Sequence, residues 1–402
     1  MTVTTKFSKL EAEALDPIIA TMARYAADPN PNKMDVSIGV YKAADGSSFM
    51  FPSVKMAKEI YNKVEPGHNY TTMSGLPEFI PVAQQTVFGD KIAGEGKLAT
   101  IQTISGTGSL HMAMLILRSA GYTNFAVGTP AWSNYIPMAQ HIGCTTSTYK
   151  YYDEETKTID FESVVCAIEE ASPKTVFILQ TCCHNPTGAD LSKNQWKTIR
   201  DLTINKDCMV LFDIAYQGFA SGDKDEDAWP IRYFYEAGME FVVCQSFSKN
   251  LGLYGERAGA LHVVVQDKDS LPIVHSNMVK NFREECSFGP AYGARIVSTV
   301  GSTPEIKKVW DQDVAGVAER MVTMRRRILD TLTKLETPGK WDHVIRQTGL
   351  FWFSGLTKEQ TERMISEYHI YLTQNGRVNV AGLNDANLDQ FCKALDAVVR
   401  SS

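Results

Sequence analysis

A lysine, an aspartate and a run of small hydroxyl residues stand in this chain where polar groups have to be explained. Lys249 follows the apolar run Phe241 to Cys244 within QSFSKN, and Asp213 follows the run Met209 to Phe212. A lysine at the carboxyl edge of a strand can lose its charge on desolvation and become a nucleophile; the alternative is a solvated surface side chain. A carboxylate behind a fully apolar strand needs a partner, because an unpaired charge in low dielectric is costly. It either caps a helix or loop, or holds a buried cation. Ser105-Gly106-Thr107-Gly108-Ser109 opens the helical pattern LHMAMLIL. Free backbone N–H groups and the helix dipole at such a start favour a phosphate, although the same composition serves as an ordinary N-cap. No Gly-Lys-Ser/Thr follows it, and it lacks the G-x-G-x-x-G spacing of a dinucleotide site.

The elements that must position these residues repeat one pattern through the middle of the chain. Phe125 to Val127 leads into GTPAW, Val176 to Leu179 into QTCCHNPTG, Met209 to Phe212 into Asp213, and Phe241 to Cys244 into QSFSKN; Ala258 to Val265 is a further apolar run. Short apolar runs separated by helical stretches predict buried, mostly parallel strands of an α/β sheet. Ligands of such sheets sit beyond the carboxyl ends of the strands, so the polar residues after each run share one crevice. Residues from Ile306 to Leu335, rich in charge and helix formers, predict a long helix that links two domains. Beyond it GLFWFSGL and RVNVAGL read as strands, and SEYHIYL as a helix end with a strand. The expected organisation is a large α/β domain over 46–310, a mostly parallel mixed sheet flanked by helices, with a smaller α+β domain over 311–402. The segment 1–45 is expected to pack with the small domain.

Whole-chain quantities bound the function. The 402 residues carry 44% hydrophobic and 21% charged side chains and a formal net charge of -6. The length supports a core that needs no disulfide staples, and the acidic balance argues against a nucleic-acid partner. No apolar run reaches the length of a membrane span. The opening MTVTTKFSKLEAEALDPI lacks both the apolar centre of a signal peptide and the Arg-rich look of a transit peptide. The 8 cysteines contain no C-x-x-C pair, which fits a reducing, cytoplasmic setting. Cys208 and Cys244 read as buried, inert thiols. Cys182, Cys183 and His184 are adjacent, but neighbours on one strand point to opposite faces, so no metal site is expected.

A phosphate cradle, a carboxylate and a lysine at neighbouring strand ends are the parts that hold pyridoxal 5'-phosphate: anion site, pyridinium partner and Schiff-base lysine. The order of further motifs points the same way. IGVYK (Ile38 to Lys42), HNYTTMSGLPEF (His68 to Phe79), SGTGS, TPAWSNY (Thr129 to Tyr135), HNPTG (His184 to Gly188), FDIAYQGF (Phe212 to Phe219), SFSKNLGLYGERAG (Ser246 to Gly259), FREECSFGPAYGA and NGRVNVAGL run nearly the length of the chain. In this series the sequence resembles the aspartate and aromatic aminotransferases, class I enzymes of pyridoxal-phosphate fold type I.

The resemblance implies roles residue by residue. Lys249 would carry the cofactor and shuttle the proton at the substrate Cα. Asp213 would grip the pyridinium nitrogen, Tyr216 and Asn185 the phenolic oxygen, and Trp132 the ring face. Ser105, Gly106, Thr107, Ser246, Ser248 and Arg257 would hold the phosphate, with Tyr70 reaching it from the other subunit of a homodimer. Arg377 would fork onto the substrate α-carboxylate. Arg283 would cross from the partner to the distal carboxylate, and Gly39, with Trp132 and Asn185, would meet the substrate. The resemblance further implies amino-group exchange between L-aspartate and 2-oxoglutarate, with a broad-specificity or aromatic aminotransferase as the alternative. A pyridoxal-phosphate lyase is disfavoured by the presence of both Arg283 and Arg377, and a binding protein without chemistry by the intact Lys249, Asp213 and Tyr216. Three positions depart from the family pattern: Tyr135 stands where many relatives have histidine beside the pyridinium carboxylate, and Cys286 and Phe288 replace more usual polar residues after the distal arginine. These changes leave room for aromatic substrates.

Overall fold

The five apolar runs of the central chain, joined by two strands that no apolar run marked, form one seven-stranded sheet in the computed structural model, which describes residues 6–13, 15–64 and 66–401. Part of the opening segment considered above for a leader lies outside the described residues. The strands are β1 (Leu98–Ile104), β2 (Asn124–Thr129), β3 (Thr145–Lys150), β4 (Thr175–Gln180), β5 (Met209–Ile214), β6 (Phe241–Ser246) and β7 (Ala258–Val264). Their spatial order is β1-β7-β6-β5-β4-β2-β3. β7 runs antiparallel to both neighbours, and every other pairing is parallel.

Side-chain alternation explains why the central strands are apolar on both faces. In β5, Val210, Phe212 and Ile214 pack with Trp196 and Phe234 on one face. Leu211 packs with Leu110, Met114 and Val242 on the other. Both faces are covered, so neither half of the strand can be polar. Helix α1 (Ser105–Ser119) supplies that second face with Leu110, Ala113, Met114 and Leu117, the spacing of one helical stripe.

Beyond the sheet come α2 (Leu271–Glu285) and α3 (Pro304–Lys334), a helix of 31 residues with proline in its first turn. Trp310 of α3 donates its indole N–H to the Asn250 carbonyl at 2.7 Å. Further along, buried Arg325 donates to the carbonyls of Val344 (3.0 Å) and Gly349 (2.9 Å). One helix therefore ties the Lys249 loop to the C-terminal region. There Phe351–Phe353 pairs antiparallel with Arg377–Asn379, beside α4 (Lys358–Tyr368) and α5 (Leu388–Arg400). Met34–Asp35 pairs parallel with Ile370–Tyr371. The strand read over RVNVAGL is confined to Arg377–Asn379. The Asn379 side chain accepts from the Ala381 N–H at 3.0 Å and turns the next residues into a 3₁₀ turn. Among the described residues no helix is long and apolar enough to cross a membrane.

Candidate active site

The carboxyl ends of β4, β5 and β6 and the start of α1 meet at a cavity of about 160 Å³. Its lining includes Ser105, Gly106, Thr107, Trp132, Asn185, Asp213, Tyr216, Ser246, Ser248, Lys249 and Arg257. These residues are spread over more than 150 positions of sequence; parallel strands bring them together because each chain crossing ends on the same edge.

One end of the cavity is built for an anion. Ser105 Oγ lies 3.0 Å from Ser246 Oγ and 2.7 Å from Ser248 Oγ. No side chain caps the start of α1, so its first N–H groups are open to a ligand that brings negative charge. A Cβ on Gly106 would stand 3.2 Å from the Ser246 Cβ, so a side chain there would crowd the cradle. Ser105 and Arg257 both adopt left-handed backbone conformations (φ 57° and 53°), and the Ser105 N–H donates to the Arg257 carbonyl at 3.1 Å. Non-glycine residues pay a steric cost there, and such outliers concentrate at ligand sites. Gly259 allows the approach: a Cβ on it would lie 2.6 Å from both the Gln245 oxygen and the Ser105 carbonyl carbon.

Asp213 and Lys249 occupy the middle. Asp213 is 8% exposed. Its Oδ2 accepts the Tyr135 hydroxyl at 2.5 Å, and its Oδ1 has no partner among the described residues. Burial lifts the carboxyl to about 6, against the opposing pull of the Tyr135 hydrogen bond and the Lys249 charge. Burial lowers Lys249 to about 8, with help from Arg257 and Arg377 and against Asp213. Its Nζ lies 5.7 Å from the Tyr216 ring centroid and 5.1 Å from that of Tyr254. Burial pushes the Tyr216 phenol well above its ordinary range. The indole of Trp132 meets Tyr135 edge-on at 5.3 Å.

A second cavity of about 210 Å³, lined in part by Asp16, Trp132, Asn185 and Arg377, adjoins the first through their shared Trp132 and Asn185. Arg377 is 5% exposed. It donates to Asn185 Oδ1 at 2.8 Å and to the Ser37 carbonyl at 2.9 Å, and its guanidinium lies 4.1 Å over the Phe351 ring. Its Nε has no partner. Gly39 packs on the same ring: a Cβ there would come within 2.7 Å of Phe351 Cζ.

Tyr70 and Arg283 do not join this group within one chain. Tyr70 is 86% exposed and stacks on Phe288, with ring centroids 4.8 Å apart. Arg283, at the end of α2, is exposed and rests its Nη1 3.4 Å from the Met73 sulfur. The neighbouring acids have other partners: Glu284 pairs with Lys280 at 3.8 Å, and Glu285 lies 3.1 Å from His111.

Several site residues escaped the sequence reading. Gln180 lines the cavity and brackets the backbone of Asn185, accepting its N–H at 2.9 Å and donating to its carbonyl at 3.1 Å. It ends β4 directly opposite Asp213, and the strand-end argument that singled out Asp213 applies to it equally. Phe351 and the Ser37 carbonyl left no such signal. Two readings are corrected. Cys182, Cys183 and His184 lie in the turn after β4 rather than on a strand, where the Asp190 carboxylate accepts the N–H groups of Cys183 (2.8 Å) and His184 (2.9 Å). Cys208 is only half-buried, because it precedes β5 instead of lying within it.

These residues fit pyridoxal phosphate. The partnerless Oδ1 of a buried carboxylate suits a pyridinium N–H, the serine cradle at an open helix start suits a phosphate, and Lys249 lines the same cavity.

Comparison with known proteins agrees. The family model described as aminotransferase class I and II matches residues 31–395. The curated cytoplasmic aspartate aminotransferase of Saccharomyces cerevisiae is 37% identical over 407 residues, covering 98% of this chain and 97% of its own. A solved structure of aspartate aminotransferase from the cytoplasm of that yeast has a TM-score of 0.96 at 36% identity, covering 98% and 99% of the two chains. The broad specificity aminotransferase from Leishmania mexicana has a TM-score of 0.95 at 38% identity, covering 100% and 99%. An aromatic-amino-acid aminotransferase from Burkholderia pseudomallei, described as covalently bound to pyridoxal phosphate, has a TM-score of 0.95 at 31% identity, covering 98% and 100%.

Proposed function

The chain belongs to the class I and II aminotransferases, and from that premise we propose that it transfers the amino group of L-aspartate to 2-oxoglutarate. The products are oxaloacetate and L-glutamate, formed in two half-reactions on one pyridoxal 5'-phosphate. The observation that carries this reading is the buried Asp213, with one oxygen held by Tyr135 and the other free, in the same cavity as Lys249. We assign the reaction to the cytoplasm, the compartment in the names of the curated relatives.

When bound, the cofactor supplies the electron sink for charge that develops at the substrate Cα. The residues of the chain supply the rest. Lys249, brought near 8 by burial, would hold the cofactor aldehyde and, once the substrate amine has displaced it, would take the proton from Cα and return it. Asp213 would hold the ring nitrogen in its protonated form. Ser105, Gly106, Thr107, Ser246, Ser248 and Arg257 would anchor the phosphate. Tyr216 and Asn185 would donate to the phenolic oxygen, and Trp132 would pack against the ring. Arg377, pre-set by Asn185, Ser37 and Phe351, binds the α-carboxylate, with Gly39 leaving room beside it. In a homodimer, Tyr70 and Arg283 serve the partner's site, which accounts for their exposure and their distance from the cavity of their own chain. Arg283 then receives the distal carboxylate.

The test is a donor panel with 2-oxoglutarate as acceptor, on protein whose visible absorption is recorded first. The expected result is a cofactor band and the highest kcat/KM on aspartate. Absence of any band after incubation with pyridoxal phosphate would remove the cofactor reading. A higher kcat/KM on phenylalanine or tyrosine would replace aspartate by an aromatic donor.

A further inference from the structure

We propose that Tyr135 is a positioning residue: a neutral phenol that orients Asp213 and keeps it ionised, leaving one carboxylate oxygen for a cationic ring N–H. The proposal rests on the reading that this cavity takes pyridoxal phosphate.

Tyr135 opens the helix Tyr135–His141 after β2, while Asp213 is the penultimate residue of β5, two strands away. Their contact is therefore a product of the sheet, not of local sequence. The 2.5 Å separation is that of a charge-assisted O–H···O⁻ bond. Both residues are buried, and the Tyr135 side chain is among the largest fully enclosed in the chain. The hydroxyl can donate only one proton, and it is committed to Oδ2. Oδ1 is left as a buried acceptor with no donor among the described residues, an arrangement that is expensive unless a ligand completes it.

The groups that face the pair are Lys249, Tyr216 and Cys244. Arg257 and Arg377 act one step further out, on Lys249. The charge of Asp213 and burial both push the Tyr135 phenol well above its ordinary range, so it stays a neutral donor wherever the protein is folded. An imidazole at this position would acquire a second positive charge near pH 6.5, beside the ring nitrogen that Asp213 must hold. The phenol does not, so Tyr135 adds no titration of its own to the acid dependence of ring binding that Asp213 and Lys249 set.

The experiment is titration of the cofactor-free protein with pyridoxal phosphate across acid to mildly alkaline pH, for wild type, Tyr135→Phe and Tyr135→His. Phenylalanine removes one oxygen and keeps the ring. Loss of a hydrogen bond to a charged group should raise the dissociation constant about ten- to a hundredfold and move the acid limb of binding to higher pH. Tyr135→His, still a donor, should recover most of the affinity above neutrality. It should also add the imidazole's own titration to that of Asp213, so that its acid limb is steeper than wild type's. Equal affinity and an unchanged pH profile in Tyr135→Phe, with normal wild-type binding, would overturn the role of Tyr135 alone. Absence of binding by wild type would remove the cofactor reading and this proposal with it. Should Tyr135→Phe fail to fold, a Tyr135→His profile superimposable on wild type overturns the proposal, and the steeper acid limb supports it.

Discussion

Arg377→Leu should weaken every amino donor alike. The guanidinium has five N–H donors, and the fold uses one on Asn185 Oδ1 (2.8 Å) and one on the Ser37 carbonyl (2.9 Å). The remaining three, with the unpartnered Nε among them, are held in one plane over Phe351 at 4.1 Å. A carboxylate entering this enclosed place loses its water and needs that fork. Truncating one partner of a buried, hydrogen-bonded charge pair costs about 2–5 kcal/mol. At about 1.4 kcal/mol per decade, that is a loss of roughly 30-fold to several thousandfold in kcat/KM. Leucine also strips donors from the Asn185 side chain and the Ser37 carbonyl, which favours the upper half of that range. Arg377→Lys keeps the charge but not the plane or the fork, so its loss should be intermediate. The assay is initial rates with 2-oxoglutarate for aspartate, phenylalanine and tyrosine, with cofactor content checked by absorbance in each variant. A loss confined to aspartate, or less than about threefold on all donors, would refute the assignment of Arg377 to the α-carboxylate.

Arg283→Leu should behave oppositely. Aspartate and glutamate should lose about 2–5 kcal/mol of transition-state binding, whereas phenylalanine, uncharged at that end, should lose little; equal losses would sink the distal-carboxylate role. Sharing of sites between subunits is tested by co-expressing Arg283→Leu with Lys249→Ala. A mixed dimer has one site with both native residues, so two nearly inactive variants should together recover about a quarter of wild-type aspartate activity by random pairing, and no recovery would argue against shared sites. Lys249→Ala alone should bind pyridoxal phosphate without forming a borohydride-reducible bond and should not turn over; steady transamination by it would remove Lys249 from the chemistry. His262 is buried between Thr100 and Gln245 and lowered to about 3. Its folded value lies below its unfolded one, so the unfolded chain binds more protons in between, and stability present above about pH 6.5 is lost as the pH falls. Unfolding free energies from urea titration should therefore fall more steeply on acidification in wild type than in His262→Gln, by about 1.4 kcal/mol per pH unit between about pH 6 and 3. Parallel acid limbs would show that His262 does not titrate on unfolding.

Much of the fold was legible because burial on both faces leaves a direct mark on composition. The runs that became β2, β4, β5 and β6 are apolar along most of their length and end in polar residues where the parallel strands open onto a cavity; β7 is antiparallel and ends at the opposite edge. The same logic marked Asp213 and Lys249 as groups in need of partners, and small residues marked the start of α1. The shortening of RVNVAGL to three strand residues was not legible. It depends on the Asn379 side chain, which bonds its own backbone and also donates to the carbonyls of Ile38 (2.6 Å) and Val40 (2.8 Å), far away in sequence.

Partners are a different matter from positions. Composition and periodicity determined that a buried carboxylate at residue 213 must be satisfied. Only the tertiary structure decided that Tyr135 satisfies one oxygen and that the other is left open. Sequence placed an arginine at residue 377 in a motif, but its fork is aimed by Asn185, by the Ser37 carbonyl and by the ring of Phe351, which come from three separate parts of the chain. Gln180 carried the same strand-end mark as Asp213, and only the register decided that the two stand opposite each other. The physical reason is one of range. Desolvation acts on each residue through its own strand and so leaves a local trace, whereas a hydrogen bond or a stacked ring requires two groups within a few ångströms, and which two is decided by the order of strands in the sheet.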